Sequence, residues 1–147
     1  MNKIKNKFKE LLQQKGDESL LDAKYMGISF DDIQECYYEL GLYLPFKLIE
    51  NTWLTRYPNE SIGHGWGNGY VRIAEGHKYH DNAYDDIDVS VHGGLTFSEH
   101  ITNNDKWSDG FWVGFDTAHS GDNLQKWPVD RVLEETMSLF KKIYGLS

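Results

Sequence analysis

From Val129 to Ile143 the apolar residues fall at helical spacing. Val129, Val132, Leu133, Thr136, Met137, Phe140 and Ile143 make one broad stripe. Pro128 suits the first helical position. Asp130, Glu134 and Glu135 precede Lys141 and Lys142, the order the helix dipole favours. Such a stripe must be buried against a second layer, and the residues before it supply strands for that layer. Residues 69–74 hold Tyr70, Val71 and Ile73. In 86–92, Ile87, Val89 and Val91 alternate with Asp86, Asp88, Ser90 and His92, a strict period of two. Residues 95–98 follow Gly93-Gly94, which reads as a tight hairpin turn. Residues 110–116 are aromatic and read as a central strand. The polar stretch 99–109 reads as a loop, and the glycine-rich run 63–69 as a flexible turn before the first strand.

The N-terminal part reads as helical. Ile4, Phe8, Leu11 and Leu12 share a face in 2–15, with Gly16 as its stop. Lysines in the first turn oppose the dipole, so this helix should fray at its start. Asp17 can cap a short helical turn in 17–25. Ser29, with Asp32 three residues on, caps a clearer helix carrying Phe30, Ile33, Tyr37 and Leu40, ended by Gly41. Between Pro45 and Pro58, the residues Leu48, Ile49, Trp53 and Leu54 fit either a short helix or a strand. The expected fold is α+β: an antiparallel sheet of about four strands, with N-terminal helices and a C-terminal helix packed on one face. One domain spans 1–147, with 1–60 mainly helical and 66–145 holding the sheet and the last helix.

Charge narrows the partners. The chain carries a net charge of −8. Five of its fifteen basic residues are Lys3, Lys5, Lys7, Lys9 and Lys15, so the remainder is more acidic than the whole. Most of this surface would repel a phosphate backbone, which argues against general nucleic-acid binding. No stretch approaches the length of a membrane span, and no apolar run follows the N-terminal lysines as in a signal peptide. The only cysteine is Cys36, which precludes an intramolecular disulfide and suits a reducing cytoplasm. Its charged neighbours, Glu35 and Glu39, make it a poor nucleophile.

Two stretches concentrate chemistry. On a strand, Asp86, Asp88, Ser90 and His92 would share one face, which is either a merely solvated face or a binding face. In 114–122, Asp116, His119 and Asp122 recur every three residues where a strand ends in a glycine-containing turn. Imidazole and carboxylate donors suit a divalent metal such as zinc, manganese or iron. The same groups could instead serve as a general base with its orienting carboxylate, or bond local backbone. If strands 86–92 and 110–116 share a sheet, His92, Asp116 and His119 converge at one edge. Gly93, Gly94 and Gly121 would then let a ligand approach the backbone. The ligand-binding candidates are Tyr84, Asp86, Asp88, His92, Gly93, Gly94, Thr96, Asp116 and His119. The candidates for catalysis are His92, Asp116, His119 and Asp122, and those for a metal are Asp116, His119 and Asp122. HExxH, paired CxxC and a nucleophile elbow are all missing. His77 and His80 sit in a loop, a weak metal pattern, and His64 and His100 read as surface residues.

The run Gly76-His77, Tyr84-Asp85-Asp86, Val91-His92-Gly93-Gly94-Leu95-Thr96, Gly114-Phe115-Asp116, Ala118-His119 and Gly121-Asp122 resembles a family of small uncharacterised bacterial and bacteriophage proteins. The resemblance covers about residues 66–145. That family often has Pro after Gly-His and Cys before Ala-His, where this chain has Lys78 and Thr117, so a cysteine-based role at that position is not available. The resemblance implies a phage or mobile-element origin, and a bacterial cytoplasm as the setting. It implies no established reaction.

Three functions are expected on this basis. The first is a binding protein, such as a counter-defence factor, that holds a host protein or a small nucleotide-like ligand at a Gly/His/Asp-lined pocket. Surplus aromatic residues supply anchors for it. The second is a metal-dependent hydrolase using the same His/Asp cluster, with a divalent metal as its one cofactor. The third is a structural or assembly protein. A homo-oligomer is compatible with each.

Overall fold

The computed structural model describes residues 2–51, 63–102 and 109–147. Trp53, Leu54 and Pro58, and most of the expected loop 99–109, lie outside these residues. The chain begins with helix α1 (Lys3–Lys15), a 3-10 turn (Gly16–Ser19), α2 (Leu20–Met26) and α3 (Phe30–Glu39). Strands β1 (Phe46–Glu50) and β2 (Gly67–Ile73) follow, then a 3-10 turn at Tyr84–Asp86, β3 (Phe97–Ile101), β4 (Gly110–Phe115) and the last helix α4 (Val129–Tyr144). The four strands form one sheet in the order β1-β2-β4-β3, every pair antiparallel. The fold is α+β, with N-terminal helices and a C-terminal helix, as the two periodicities require.

The caps explain where the helices start. Asn2 accepts from the backbone N–H of Lys5, and Ser29 from that of Asp32. Two of the α1 lysines are tied to α3: Lys5 bonds Glu35 at 2.7 Å and Glu39 at 2.9 Å, and Lys9 also pairs with Glu39. Asp17 does not cap a helix. It accepts from Tyr37 Oη at 2.7 Å and Arg72 Nε at 2.6 Å, linking the first helices to β2. Cys36 is buried and burial pushes its thiol pKa up, in keeping with an inert residue.

The core lies between the helices and one sheet face. Phe30, Phe46 and Phe140 meet with ring centroids 5.5–5.9 Å apart, joining α3, β1 and α4. The buried stripe of α4 is Val132, Thr136, Leu139, Phe140, Ile143 and Tyr144, while Val129 is exposed. Pro128 stands one position outside the helix, as its N-cap. Tyr144 Oη donates to the Arg72 carbonyl at 2.7 Å and accepts from the Ala74 N–H at 2.9 Å, bolting the end of α4 to the end of β2.

Three expectations about the strands and loops need correction. The run 63–69 is not a flexible turn, because Gly67 and Gly69 belong to β2. A Cβ on Gly69 would lie 2.0 Å from Thr136 Oγ1, so this glycine is where α4 approaches the sheet. The expected loop 99–109 begins later, since β3 runs to Ile101. Residues 86–92 are not a strand. Ile87 is buried and Val89 and Val91 pack on the core, while Asp88 and Ser90 face out, so the alternation is real. In place of a ladder, side chains take two of its carbonyls: Tyr79 Oη donates to Asp88 O at 3.3 Å and Lys142 Nζ to Ser90 O at 2.7 Å. The fourth strand is instead β1, from the stretch whose pattern fitted helix or strand equally.

His77 holds the end of α4 in one protonation state. Its Nδ1 accepts from the Tyr79 N–H at 3.0 Å, and its Nε2 contacts the Ile143 carbonyl at 2.8 Å, which requires a hydrogen there. Burial lowers its pKa below the ordinary 6.5, against the pull of that carbonyl. In the unfolded chain the imidazole gains a proton near pH 6.5, while the folded ring resists it until lower pH. Stability is therefore full above about pH 6.5, declines as pH falls below it, and levels off below the folded pKa. Urea midpoints measured from pH 7.5 to 5 should fall less steeply for His77→Gln than for the native chain. Equal slopes would contradict this.

Candidate functional site

The loop after β4 closes on itself and on the turn at residues 92–94. Thr117 is buried, and its hydroxyl donates to the Gly67 carbonyl at 2.7 Å. The Gly65 N–H reaches Thr117 O at 2.7 Å, and the Gly63 N–H reaches Asp122 O at 2.9 Å. Gly65 stays bare because a Cβ there would lie 2.6 Å from Trp127 Cβ. The residues leading into β2 thus grip both ends of the loop carrying Asp116, His119 and Asp122.

Asp122 is the centre of the cluster. It is only 5% exposed. His92 Nε2 lies 3.0 and 3.1 Å from its two oxygens, and His119 Nδ1 lies 2.9 Å from Oδ2. The backbone N–H of His119 donates to the same oxygen at 3.1 Å. Burial pushes the Asp122 carboxyl up, but the hydrogen bonds from His92 and His119 outweigh it and hold the group below the usual carboxylate range. The two imidazoles meet edge to face, 5.1 Å between centroids.

Each ring is also fixed from behind. His92 packs on Trp127 with centroids 4.0 Å apart, and the Arg131 guanidinium lies 4.0 Å from the same indole. His119 lies against Gly93, where a Cβ would stand 2.3 Å from its Cε1. Gly93 has φ +69°, so both its backbone and its neighbour require glycine. On the outer side, His119 Nε2 lies 3.2 Å from Asp116 Oδ1, and that oxygen is held by the Ala118 N–H at 3.0 Å.

His92, Gly93, Asp116, His119 and Asp122 therefore come together. Their route is not the expected one, since no strand at 86–92 carries His92. Asp86, Asp88, Tyr84, Gly94 and Thr96 have no side-chain bond to the cluster among the described residues: Asp86 and Tyr84 are exposed on the 3-10 turn, a Cβ on Gly94 would meet open space, and Thr96 bonds Gly114 through its backbone. Asp88 lines a separate cleft. Trp127 lies outside the helical stripe, so periodicity carried no signal for it. The pairing of His77 with His80 is not seen. Instead His80 and His100 approach Asp81, with Nδ1 atoms 3.2 and 3.8 Å from its carboxylate. Their nearness depends on β3 pairing with β4, which no local pattern encodes.

Chemically, the His92–His119–Asp122 donor set is two imidazoles and one carboxylate within 4.8 Å of one another. A four-coordinate ion with bonds of about 2.0–2.2 Å to such donors places neighbouring ligand atoms about 3.3–3.6 Å apart. The imidazole nitrogens now lie at hydrogen-bond distance from Asp122, 2.9–3.1 Å, so a few tenths of an ångström of opening would admit an ion. Comparisons with protein-family models, curated proteins and solved structures found no match to this chain.

Proposed function

We propose that this chain is a small divalent-metal-binding protein. His92 Nε2, His119 Nδ1 and an Asp122 oxygen hold the ion, and a polar ligand completes its coordination. The observation that carries this reading is the position of His119 between two carboxylates. A neutral ring has one N–H, so it can satisfy only one of them. With the ion on Nδ1, the remaining N–H sits on Nε2 and donates to Asp116. Metal-bound histidines regularly donate their second N–H to a carboxylate, which fixes the ring and raises its basicity. The imidazole and carboxylate set suits zinc, manganese or iron. Side-chain exposures of 24% for His92 and 30% for His119 leave the ion reachable from solvent.

Cobalt(II) titration of the untagged chain tests this. Visible absorption bands should saturate at one ion per chain and vanish in His119→Ala. Asp116→Ala should keep the bands but weaken binding by about 10–100-fold, the usual cost of losing such an orienting partner. His100→Ala should bind as the native chain does, which separates this cluster from His80, Asp81 and His100. Bands that survive in His119→Ala would contradict the assignment.

Hydrolysis is the second reading for the same ion. Three protein ligands leave a position for water, the arrangement of catalytic zinc sites. Ester or phosphodiester turnover that tracks bound metal would favour it over simple binding.

A further inference from the structure

A second site lies away from the metal cluster. A cleft of about 570 Å³ is bounded by α2, the turn after β2, the extended segment 87–91 and the last turn of α4. That volume lies within the range of small-molecule pockets. Lys24, Lys78 and Lys142 all line it, with Asp88 the one carboxylate among the lining residues. In a chain of net charge −8, this clustering of cations runs against the global field. Lys5, Lys9 and Lys15 are paired with acids, whereas Lys24, Lys78 and Lys142 have no ion-pair partner among the described residues.

The groups around these lysines are arranged for an anion. Lys142 Nζ is fixed by the Ser90 carbonyl at 2.7 Å. Lys24 and Lys78 lie over the rings of Tyr25 and Tyr79, 4.9 and 5.0 Å from their centroids. The negative end of α4 also opens here, with two of its last carbonyls occupied. Ile143 O is bonded by His77, and Lys141 O accepts the N–H groups of Gly145 and Leu146. Tyr25 lines the cleft with 79% of its surface exposed. Such a ring is a platform on which a planar base can stack.

We infer that this cleft binds a small phosphorylated molecule bearing a planar ring, of the mononucleotide class. Its phosphates meet the three ammonium groups and its ring lies on Tyr25. A long phosphate backbone is disfavoured because it would extend over the acidic remainder of the surface. A single short anion feels mainly the local field.

Titration calorimetry with ADP in low-salt buffer tests this, with EDTA present so that metal takes no part and the outcome is independent of the metal reading. The native chain should bind ADP saturably. Lys24→Glu and Lys78→Glu, whose ammonium groups hold no backbone, should each weaken binding at least tenfold while melting at the native temperature. Tyr25→Ala should weaken ADP and leave pyrophosphate binding unchanged. No saturable ADP binding by the native chain would overturn the proposal, as would lysine variants that melt and bind as the native chain does. Pyrophosphate binding equal to that of ADP and indifferent to Tyr25→Ala would overturn the nucleotide assignment.

Discussion

Phe140→Ala is expected to lower stability by about 3–5 kcal/mol, the range for emptying a buried aromatic site. Phe140 is fully buried on α4 and its ring meets Phe30, Phe46 and Tyr144 at 5.0–5.6 Å. Those contacts join α3, β1 and α4, so the cavity would open where helices and sheet meet. The surrounding rings are themselves held: Tyr144 is bonded to both ends of a short run at the end of β2, and Phe46 lies in a paired strand. Collapse around the vacancy is therefore limited, and the cost should fall toward the upper end. The melting temperature should drop by on the order of 10 °C. A loss under about 1 kcal/mol would mean that the core does not depend on this junction.

Asp122→Ala should abolish metal binding and also destabilise the fold, by about 1–3 kcal/mol for the donors it strands. The carboxylate receives His92, His119 and the His119 backbone N–H, and no other described carboxylate lies within bonding distance of His92. Its loss removes one of three ligands and frees the other two to rotate. It also unties the 116–122 loop from the 92–94 turn. The contrast with Asp116→Ala is the informative part. Among the described residues Asp116 bonds the far nitrogen of His119 and one N–H of its own turn, so its removal should weaken binding without abolishing it. Chemical denaturation and cobalt titration on the two variants measure both effects. Equal metal binding by Asp122→Ala and the native chain would rule out its role as a ligand.

Helix positions were legible because they rest on local chemistry. Ser29 and Gly41 bracket α3 in the sequence as they do in space, and the α4 stripe needed only rotation to admit Leu139 and Tyr144 and release Val129. Strand pairing was less legible. Alternation in 86–92 reports which side chains are buried, and it does so correctly here, yet it says nothing about who bonds the carbonyls. Tyr79 and Lys142 do so from distant positions. Two glycines proved to mark close approach: Gly69, read as part of a flexible turn, against Thr136, and Gly93, read as part of a hairpin turn, against His119. The spacing of Asp116, His119 and Asp122 pointed to a cluster, but not to which two would be opposed across one imidazole. That depends on the turn at 92–94 bringing His92 to Asp122, a contact spanning thirty residues. The lysine cleft was invisible for the same reason, since Lys24, Lys78 and Lys142 meet only after α2 and α4 pack.

The central claim is that two imidazoles and a buried carboxylate form one coordination site. Zinc K-edge absorption on the chain loaded with one equivalent of zinc measures this most directly. The predicted spectrum shows two histidine rings with nitrogen at about 2.0–2.1 Å plus oxygen ligands, and reverts to hydrated zinc in a His92→Ala, His119→Ala double variant. A native spectrum indistinguishable from zinc in buffer, or one that the double variant leaves unchanged, would contradict the account.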